Sequence, residues 1–415
     1  MASLRLGALA LGLALAGGAS AGPALRAGTS GDYPPFSRAL EDGGYAGFDI
    51  AVARAYAAER RLELGWVRFR WPELLGDLRG GAFDLALSGI TVRPERSAVG
   101  RFSVPVLETG AVLLVREPAR WSDLDAFDTP AARIAVNAGG HLEQLARRRL
   151  GRATLVAIAD NRAVLDALVG EAVDAVVTEQ VEAALWQAQV EGSKVLGPFS
   201  RDRKAFLVRA DRGDLAADLD AWLLARDADG TLAALRREHL PGVSDEAVAT
   251  PLGALLAAVD ERLALMPTVG AAKREQGFPL EVPEREGLVL DAAVADVAAA
   301  ARRARREPPP EALVRAFFRA QIEAARQVQW SAVQDPDLAL APPLPDVDET
   351  LRPALLRIGQ KIARLLLRLP EGLDDPALRR AARRALRSPY LEPARVEAIA
   401  DALGALSRAP RPGRH

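Results

Sequence analysis

The 415-residue chain has no cysteine. That excludes disulfide staples, thiolate metal ligands and a cysteine nucleophile. Histidine is almost as scarce: His141, His239 and His415 are scattered, and no zinc-type spacing of ligands exists. Neither sign of charge is in excess, with 54 basic residues against 55 acidic ones. A chain so balanced projects no overall field towards nucleic acid or an anionic membrane, so any anion site must come from a local cluster. Beyond the first residues no apolar run is long enough to span a bilayer, and membrane insertion is not expected. Apolar side chains are plentiful: 49% of the residues are hydrophobic, enough for a chain of this length to bury two or three cores.

Arg5 precedes an apolar stretch from Leu6 to Ala16, followed by Gly17-Gly18 and the small-residue site Ala19-Ser20-Ala21. That order reads as a secretory signal peptide cleaved near Ala21, giving a periplasmic or secreted product. From about Ala27 to Leu240 strand and helix signals alternate. Leu85–Thr91, Arg133–Asn137 and Ala172–Thr178 read as buried strands running into polar or glycine-rich turns. Such alternation predicts an α/β fold with ligand groups at the carboxyl ends of strands. After Pro241–Ser244 the chain becomes rich in Ala, Leu and Arg with helical periodicity. Long helices are predicted over Asp291–Arg306 and Ala312–Gln334, then a loop at Ala341–Pro345, a helix from Asp348 to about Leu369, and two shorter ones. The expected layout is a signal peptide at 1–21, an α/β domain at 22–245, an all-helical domain at 246–405 and a disordered tail at 406–415.

Five spaced motifs lie in the first domain: Gly31–Ser37, Gly44–Asp49, Trp71–Leu75, Phe83–Thr91 and Pro94–Arg96. Together they resemble the amino-acid-binding family of periplasmic solute-binding proteins over roughly residues 27–240. The resemblance implies two α/β lobes closing over a ligand, with Ser88, Thr91 and Arg96 gripping its carboxylate. A guanidinium fork suits that task, because it binds a carboxylate in bidentate fashion. Within the family the chain is most similar to the cyclohexadienyl dehydratases, on Gly31–Ser37, Trp71-Pro72 and Thr178–Ala183. Amino-acid binders usually show Thr-Asp at the Thr178 position, the Asp holding the ligand's ammonium. Glu182 stands where the dehydratases carry a general acid, with Phe36 and Trp71 as apolar walls and Gly140 and Thr178 as further substrate contacts. The dehydratases also carry a lysine in the strand after the hinge, where this chain reads Glu108–Ala111; Lys204 is the candidate substitute cation. His141 replaces a small polar residue.

Asp260–Leu263, Lys273, Arg285, Gln321-Ile322, Gln329–Ser331 and Arg352 form a second constellation. Arg262 and Lys273 are eleven residues apart. At 100° per residue that is about 20° past three turns, so both face one side of a helix that bends at Pro267. The ordered set resembles the secreted class of all-helical chorismate mutases over roughly residues 250–405. The resemblance implies that Arg262, Lys273, Arg285 and Arg352 contact the substrate's two carboxylates and ether oxygen. Gln329 falls where the family bonds that oxygen. Ala325, Val289 and the missing disulfide depart from the family pattern.

Together the resemblances imply conversion of chorismate to prephenate in the helical domain, then of prephenate to phenylpyruvate in the two-lobed domain. Arogenate is a further candidate substrate. Neither step implies a metal or an organic cofactor. The partners expected are small molecules, and the sequence leaves homo-oligomerisation open. The competing reading is a solute-binding protein for an amino acid or aromatic acid, with a relict mutase domain. Each resemblance supplies a pocket within its own segment, so the halves are expected to act independently when cut between Pro241 and Ala247.

Overall fold

The computed structural model describes residues 24–243, 248–338, 340, 343–388 and 390–410. The expected signal peptide, the boundary at 245/246, part of the Ala341–Pro345 loop and residues 411–415 lie outside that set.

The first lobe is a five-stranded sheet. Ala24–Thr29 runs parallel to Glu63–Arg68 on one side and to Leu85–Leu87 on the other. Leu207–Arg209 lies antiparallel to Leu85–Leu87 and to Gly100–Phe102. The second lobe repeats the plan. Arg133–Asn137 runs parallel to Thr154–Ile158 and Ala175–Glu179, and Ala111–Arg116 pairs antiparallel with Ala175–Glu179 and Ser193–Leu196. Two short strands, Leu107–Thr109 and Asp202–Lys204, pair antiparallel where the chain crosses between lobes.

Arg133–Asn137 matches the expected strand. The strand expected over Leu85–Thr91 stops at Leu87, because Ser88 and Gly89 take positive φ values of 143° and 61° and turn the chain. A Cβ at Gly89 would sit 2.6 Å from the Phe36 ring, so both the turn and the close approach need glycine. The strand expected from Ala172 begins at Ala175 and ends on Glu179.

In the helical domain Pro251–Ala264 starts on a Thr250 cap, whose hydroxyl accepts from the Gly253 amide at 3.1 Å, with proline at the first position. The helix expected to bend at Pro267 is interrupted at Leu265, two residues earlier, and Met266–Glu275 follows. Pro283–Arg303 begins earlier than expected: its first turn is polar and shows no apolar stripe, but it carries an N-terminal proline and two acids. Glu311–Gln334 forms as expected within a residue. The helix expected from Asp348 opens with a π turn, Val347–Leu351, and continues as Arg352–Leu366. Asp375–Ala385 and Pro393–Arg408 finish the fold. Residues 406–408, expected in a disordered tail, are its last helical turn, with Leu406 and Ser407 buried.

One apolar cluster runs from the first lobe (Leu25, Phe48, Trp222) into the helical domain (Leu255, Phe317, Leu403). The second lobe has clusters of its own. The helical domain therefore shares a core with the first lobe, which bears directly on the expectation that the halves work apart.

Candidate active sites

The lobes meet around a cavity of about 50 Å³ lined by Tyr33, Trp71, Gly89, Thr91, Arg96, Asn137, Gly140, His141, Leu142, Asn161, Glu179 and Lys204. Asn137 and Glu179 end parallel strands, where open α/β sheets collect ligand groups. Of the residues singled out in the sequence, Trp71, Thr91, Arg96, Gly140, His141 and Lys204 line this cavity. Phe36, Ser88, Thr178 and Glu182 do not. Phe36 is wholly buried against Gly89 and lies 5.9 Å from Lys204 Nζ. Ser88 is wholly buried too: its Oγ accepts from the Ser30 amide at 3.0 Å and lies 3.0 Å from Thr29 Oγ1. The Ser88 and Gly89 amides donate to Asp49 Oδ2 at 2.9 and 2.6 Å, anchoring the turn. Burial pushes Asp49 up to about 6.

Lys204 Nζ donates to Thr91 Oγ1 at 2.8 Å and to Glu179 Oε1 at 2.6 Å. Glu179 Oε2 is buried without a partner among the described residues. Glu182 is 1% exposed. Its Oε1 accepts from Asn161 Nδ2 at 2.7 Å, and its Oε2 accepts from the Thr178 hydroxyl. Burial pushes Glu182 up to about 8; the Thr178 and Asn161 hydrogen bonds pull the other way, and the Glu179 charge adds to the rise. The group therefore holds its proton at neutral pH. Arg96 donates to the Thr91 carbonyl at 3.0 Å and lies 5.9 Å from the Trp71 ring. Burial, with Arg93 beside it, lowers Arg96 to about 10, still protonated at neutral pH. Burial and the nearby Glu179 raise the Tyr33 phenol, which stays neutral between Phe36 and Trp71.

His141 ties three parts of the domain together. Its Nε2 lies 2.9 Å from Asp202 Oδ1 on the crossing strand, and its Nδ1 lies 3.3 Å from Arg93 Nη1 in the first lobe. Arg93 also donates to Gln144 of the second lobe. Burial works to raise Asp202, but the His141 hydrogen bond and charge outweigh it and hold the carboxyl low.

The helical domain encloses a cavity of about 160 Å³. Arg262, Lys273, Arg285, Gln329 and Arg352 all line it, as do Val289 and Ala325. Arg262 Nη1 and Gln329 Oε1 are buried there without a hydrogen-bond partner among the described residues. Gln329 Nε2 has only weak contacts, with Met266 Sδ at 3.4 Å and the Ala325 carbonyl at 3.3 Å. Unsatisfied buried polar atoms cost stability, and a polar ligand in this cavity would satisfy both. Burial lowers Arg262 to about 10. Burial, then the charges of Arg352 and Arg285, lower Lys273, whose Nζ donates to the Leu280 carbonyl at 2.9 Å. Arg352 pairs with Asp348 and stacks 5.1 Å over the Phe278 ring. Gly270 lets the helices close: a Cβ there would lie 3.2 Å from the Gln329 carbonyl oxygen and 3.0 Å from Val333. Gln321, part of the sequence constellation, is wholly buried outside the cavity and donates to Phe317 O at 3.5 Å.

Sequence reasoning did not assign Tyr33, Asn137, Asn161 or Glu179 to the cleft, nor Glu286 and Arg326 to the helical cavity. The strand-end rule points to Asn137, Asn161 and Glu179, since each sits at or just after the carboxyl end of a parallel strand.

Two family models match separate parts of the chain: bacterial extracellular solute-binding proteins, family 3, over residues 25–242, and chorismate mutase type II over residues 253–330. Cyclohexadienyl dehydratase of Pseudomonas aeruginosa is 35% identical over 221 residues, 52% of this chain and 81% of the relative. The L-arginine-binding protein of the same organism is 29% identical over 237 residues, 54% of this chain and 91% of the relative. Among solved structures, the binding component of an ABC transporter from Wolinella succinogenes, complexed with lysine, superposes with a TM-score of 0.50 at 22% identity. It covers 52% of this chain and 95% of its own. The chain belongs to family 3 of the bacterial extracellular solute-binding proteins and carries, behind that domain, a chorismate mutase type II domain.

Proposed function

We propose that the chain is a bifunctional enzyme of phenylalanine formation: chorismate rearranges to prephenate in the helical cavity, and prephenate becomes phenylpyruvate, carbon dioxide and water in the cleft. The observation that carries the first step is the convergence of four cations and Gln329 on one cavity, with Arg262 Nη1 and Gln329 Oε1 unpartnered. The rearrangement needs no covalent help. It needs a dicarboxylate held folded, and donors aimed at the ether oxygen as the C–O bond breaks. Arg262, Lys273, Arg285 and Arg352 hold the carboxylates, and the Gln329 amide turns to donate to that oxygen.

In the second step the electrons of the breaking C–carboxylate bond flow into the ring, and the ring C–OH bond breaks. Hydroxide leaves poorly unless it is protonated. Glu182 supplies that proton, because burial keeps it neutral to about pH 8. It stands one hydrogen bond behind the cavity, on Asn161, and the substrate displaces that contact. Arg96 holds the side-chain carboxylate. Lys204, Thr91 and Gly140 complete the pocket. The same arrangement would take arogenate to phenylalanine.

The binder reading has one observation in its favour, an acid at Glu179 where amino-acid binders place their ammonium ligand. Lys204 pairs with Glu179 Oε1 at 2.6 Å and offsets much of the charge that an ammonium would meet, while Oε2 has no partner among the described residues. The test offers chorismate and prephenate separately to the purified protein, alongside Arg262→Ala and Glu182→Gln. Each variant should abolish one reaction and spare the other. Wild-type protein that binds prephenate without consuming it would favour the binder. Export with cleavage near Ala21 belongs to the same reading, and N-terminal sequencing of protein from the native cell checks it; an intact Met1–Ala21 would overturn it.

A further inference from the structure

Three consecutive residues of the Pro251–Ala264 helix face three different parts of the molecule. Asp260 Oδ2 accepts from Arg203 Nη1 at 2.5 Å, and its Oδ1 accepts from the Arg387 amide at 2.7 Å. Glu261 Oε1 accepts from Ser97 Oγ at 2.9 Å, and its Oε2 accepts from Lys361 Nζ at 3.1 Å. Arg262 turns to the helical cavity.

The neighbours of those partners are the cations of the cleft. Arg203 immediately precedes Lys204 on the crossing strand, and Ser97 immediately follows Arg96 on the Pro94–Val99 helix. Arg203 is 8% exposed, Lys361 6% and Glu261 4%, so these are buried clamps and not solvated surface pairs. Second grips reinforce both. Arg357 Nη2 donates to the Ala98 carbonyl at 2.8 Å, and Arg387 Nη2 donates to Glu108 of the partner crossing strand at 3.1 Å. Neither clamp touches the cavity, yet each fixes the backbone one residue from a side chain that lines it.

We infer that Asp260 and Glu261 are positioning residues for the cleft: the helical domain sets the placement of Lys204 through Arg203 and of Arg96 through Ser97. The inference rests on the dehydratase reading above. A rigid support matters because a shift of about 1 Å in a substrate-holding group can cost on the order of 100-fold in rate. Arg262, next on the same helix, faces the helical cavity and takes no part in either clamp.

The experiment uses the full chain with Asp260→Ala, Asp260→Asn and Ser97→Ala. Dehydratase kcat/KM on prephenate should fall roughly 10- to 100-fold in Asp260→Ala. It should fall less in Ser97→Ala and Asp260→Asn, which keep more of the clamp. The loss should include a rise in KM, because Arg96 and Lys204 hold the ground state. Mutase kcat/KM on chorismate should stay close to wild type in all three. Unchanged dehydratase kinetics in both Asp260→Ala and Ser97→Ala would overturn the inference. So would a parallel loss of both activities that tracks the melting temperature, the mark of a merely structural role. Wild-type protein inert towards prephenate would sink the functional reading instead. The inference would then be read from prephenate affinity by calorimetry: about tenfold weaker binding in the variants, worth 1.4 kcal/mol, supports it, and equal affinity overturns it.

Discussion

Glu182 illustrates how a single side chain acquires its chemistry from its surroundings. An exposed glutamic acid would be ionised at neutral pH. Here burial raises the carboxyl to about 8 even though Thr178 and Asn161 donate to it. Glu182→Gln keeps the shape and loses the proton, so dehydration should fall about 10²- to 10⁴-fold, with prephenate affinity largely retained in calorimetry. On the proposed role the protonated acid is the active form, so dehydration should decline as pH rises through about 8 and hold steady below it. Gln329 predicts the opposite behaviour. Its amide donates at every physiological pH without charge, so the mutase step should vary little between about pH 5 and 8. Gln329→Glu should make that step favour acid, because only the protonated carboxyl can donate to the ether oxygen. A steep alkaline loss in wild-type mutase, with the fold intact, would contradict the role of Gln329. Glu182 and Arg96 lie in motifs that carry the resemblance and Lys204 was singled out as a substitute cation; Arg96 and Lys204 line the cleft cavity, and Glu182 lies behind it on Asn161. Asn161 and the His141–Asp202 contact were not legible, because the ends of elements far apart in sequence deliver them; Tyr33 lies in a quoted motif, but only the fold places it in the cavity. Phe36 and Ser88 sit in legible motifs yet are wholly buried behind the residues that line the cavity; a motif specifies a neighbourhood and leaves the direction of each side chain to packing.

At the scale of elements, the mutase cavity depends on how closely two helices approach. Met266–Glu275 meets Glu311–Gln334 at Gly270, where a Cβ would already press on the Gln329 carbonyl and Val333. Gly270→Leu should cost about 1–3 kcal/mol through overpacking, seen as a lower melting temperature. Mutase activity should fall further than stability, since Gln329 is the group displaced. Equal mutase activity in a folded Gly270→Leu protein would count against the geometry. Elements with a clear apolar signal were readable from sequence, such as the short run Arg133–Asn137 and the striped Glu311–Gln334 helix. The first turn of Pro283–Arg303 was not, because Pro-Glu-Arg-Glu presents capping chemistry without an apolar face. The π turn at Val347–Leu351 has no periodic signature at all.

The whole molecule is less divisible than its sequence suggests. The family 3 match ends at residue 242 and the mutase match begins at residue 253, yet the apolar cluster is continuous from the first lobe to the helical domain. The buried clamps at Asp260 and Glu261 join positions such as Arg203 and Ser97 that lie far away in the chain. In sequence each looks like an ordinary charged or polar surface residue, and only the fold reveals the pairing. A chain nicked at a protease site introduced between Gly242 and Val248 should therefore stay together, its halves co-eluting in size-exclusion chromatography at physiological salt. Separate elution of two folded halves would restore the independent-domain expectation. One time course puts both reactions to the test: the 415-residue protein is given chorismate at neutral pH, and chorismate, prephenate and phenylpyruvate are followed together. Chorismate should be consumed, prephenate should rise and then fall, and phenylpyruvate should accumulate to match the chorismate lost. Chorismate left untouched, or prephenate that accumulates without phenylpyruvate, would contradict the bifunctional reading.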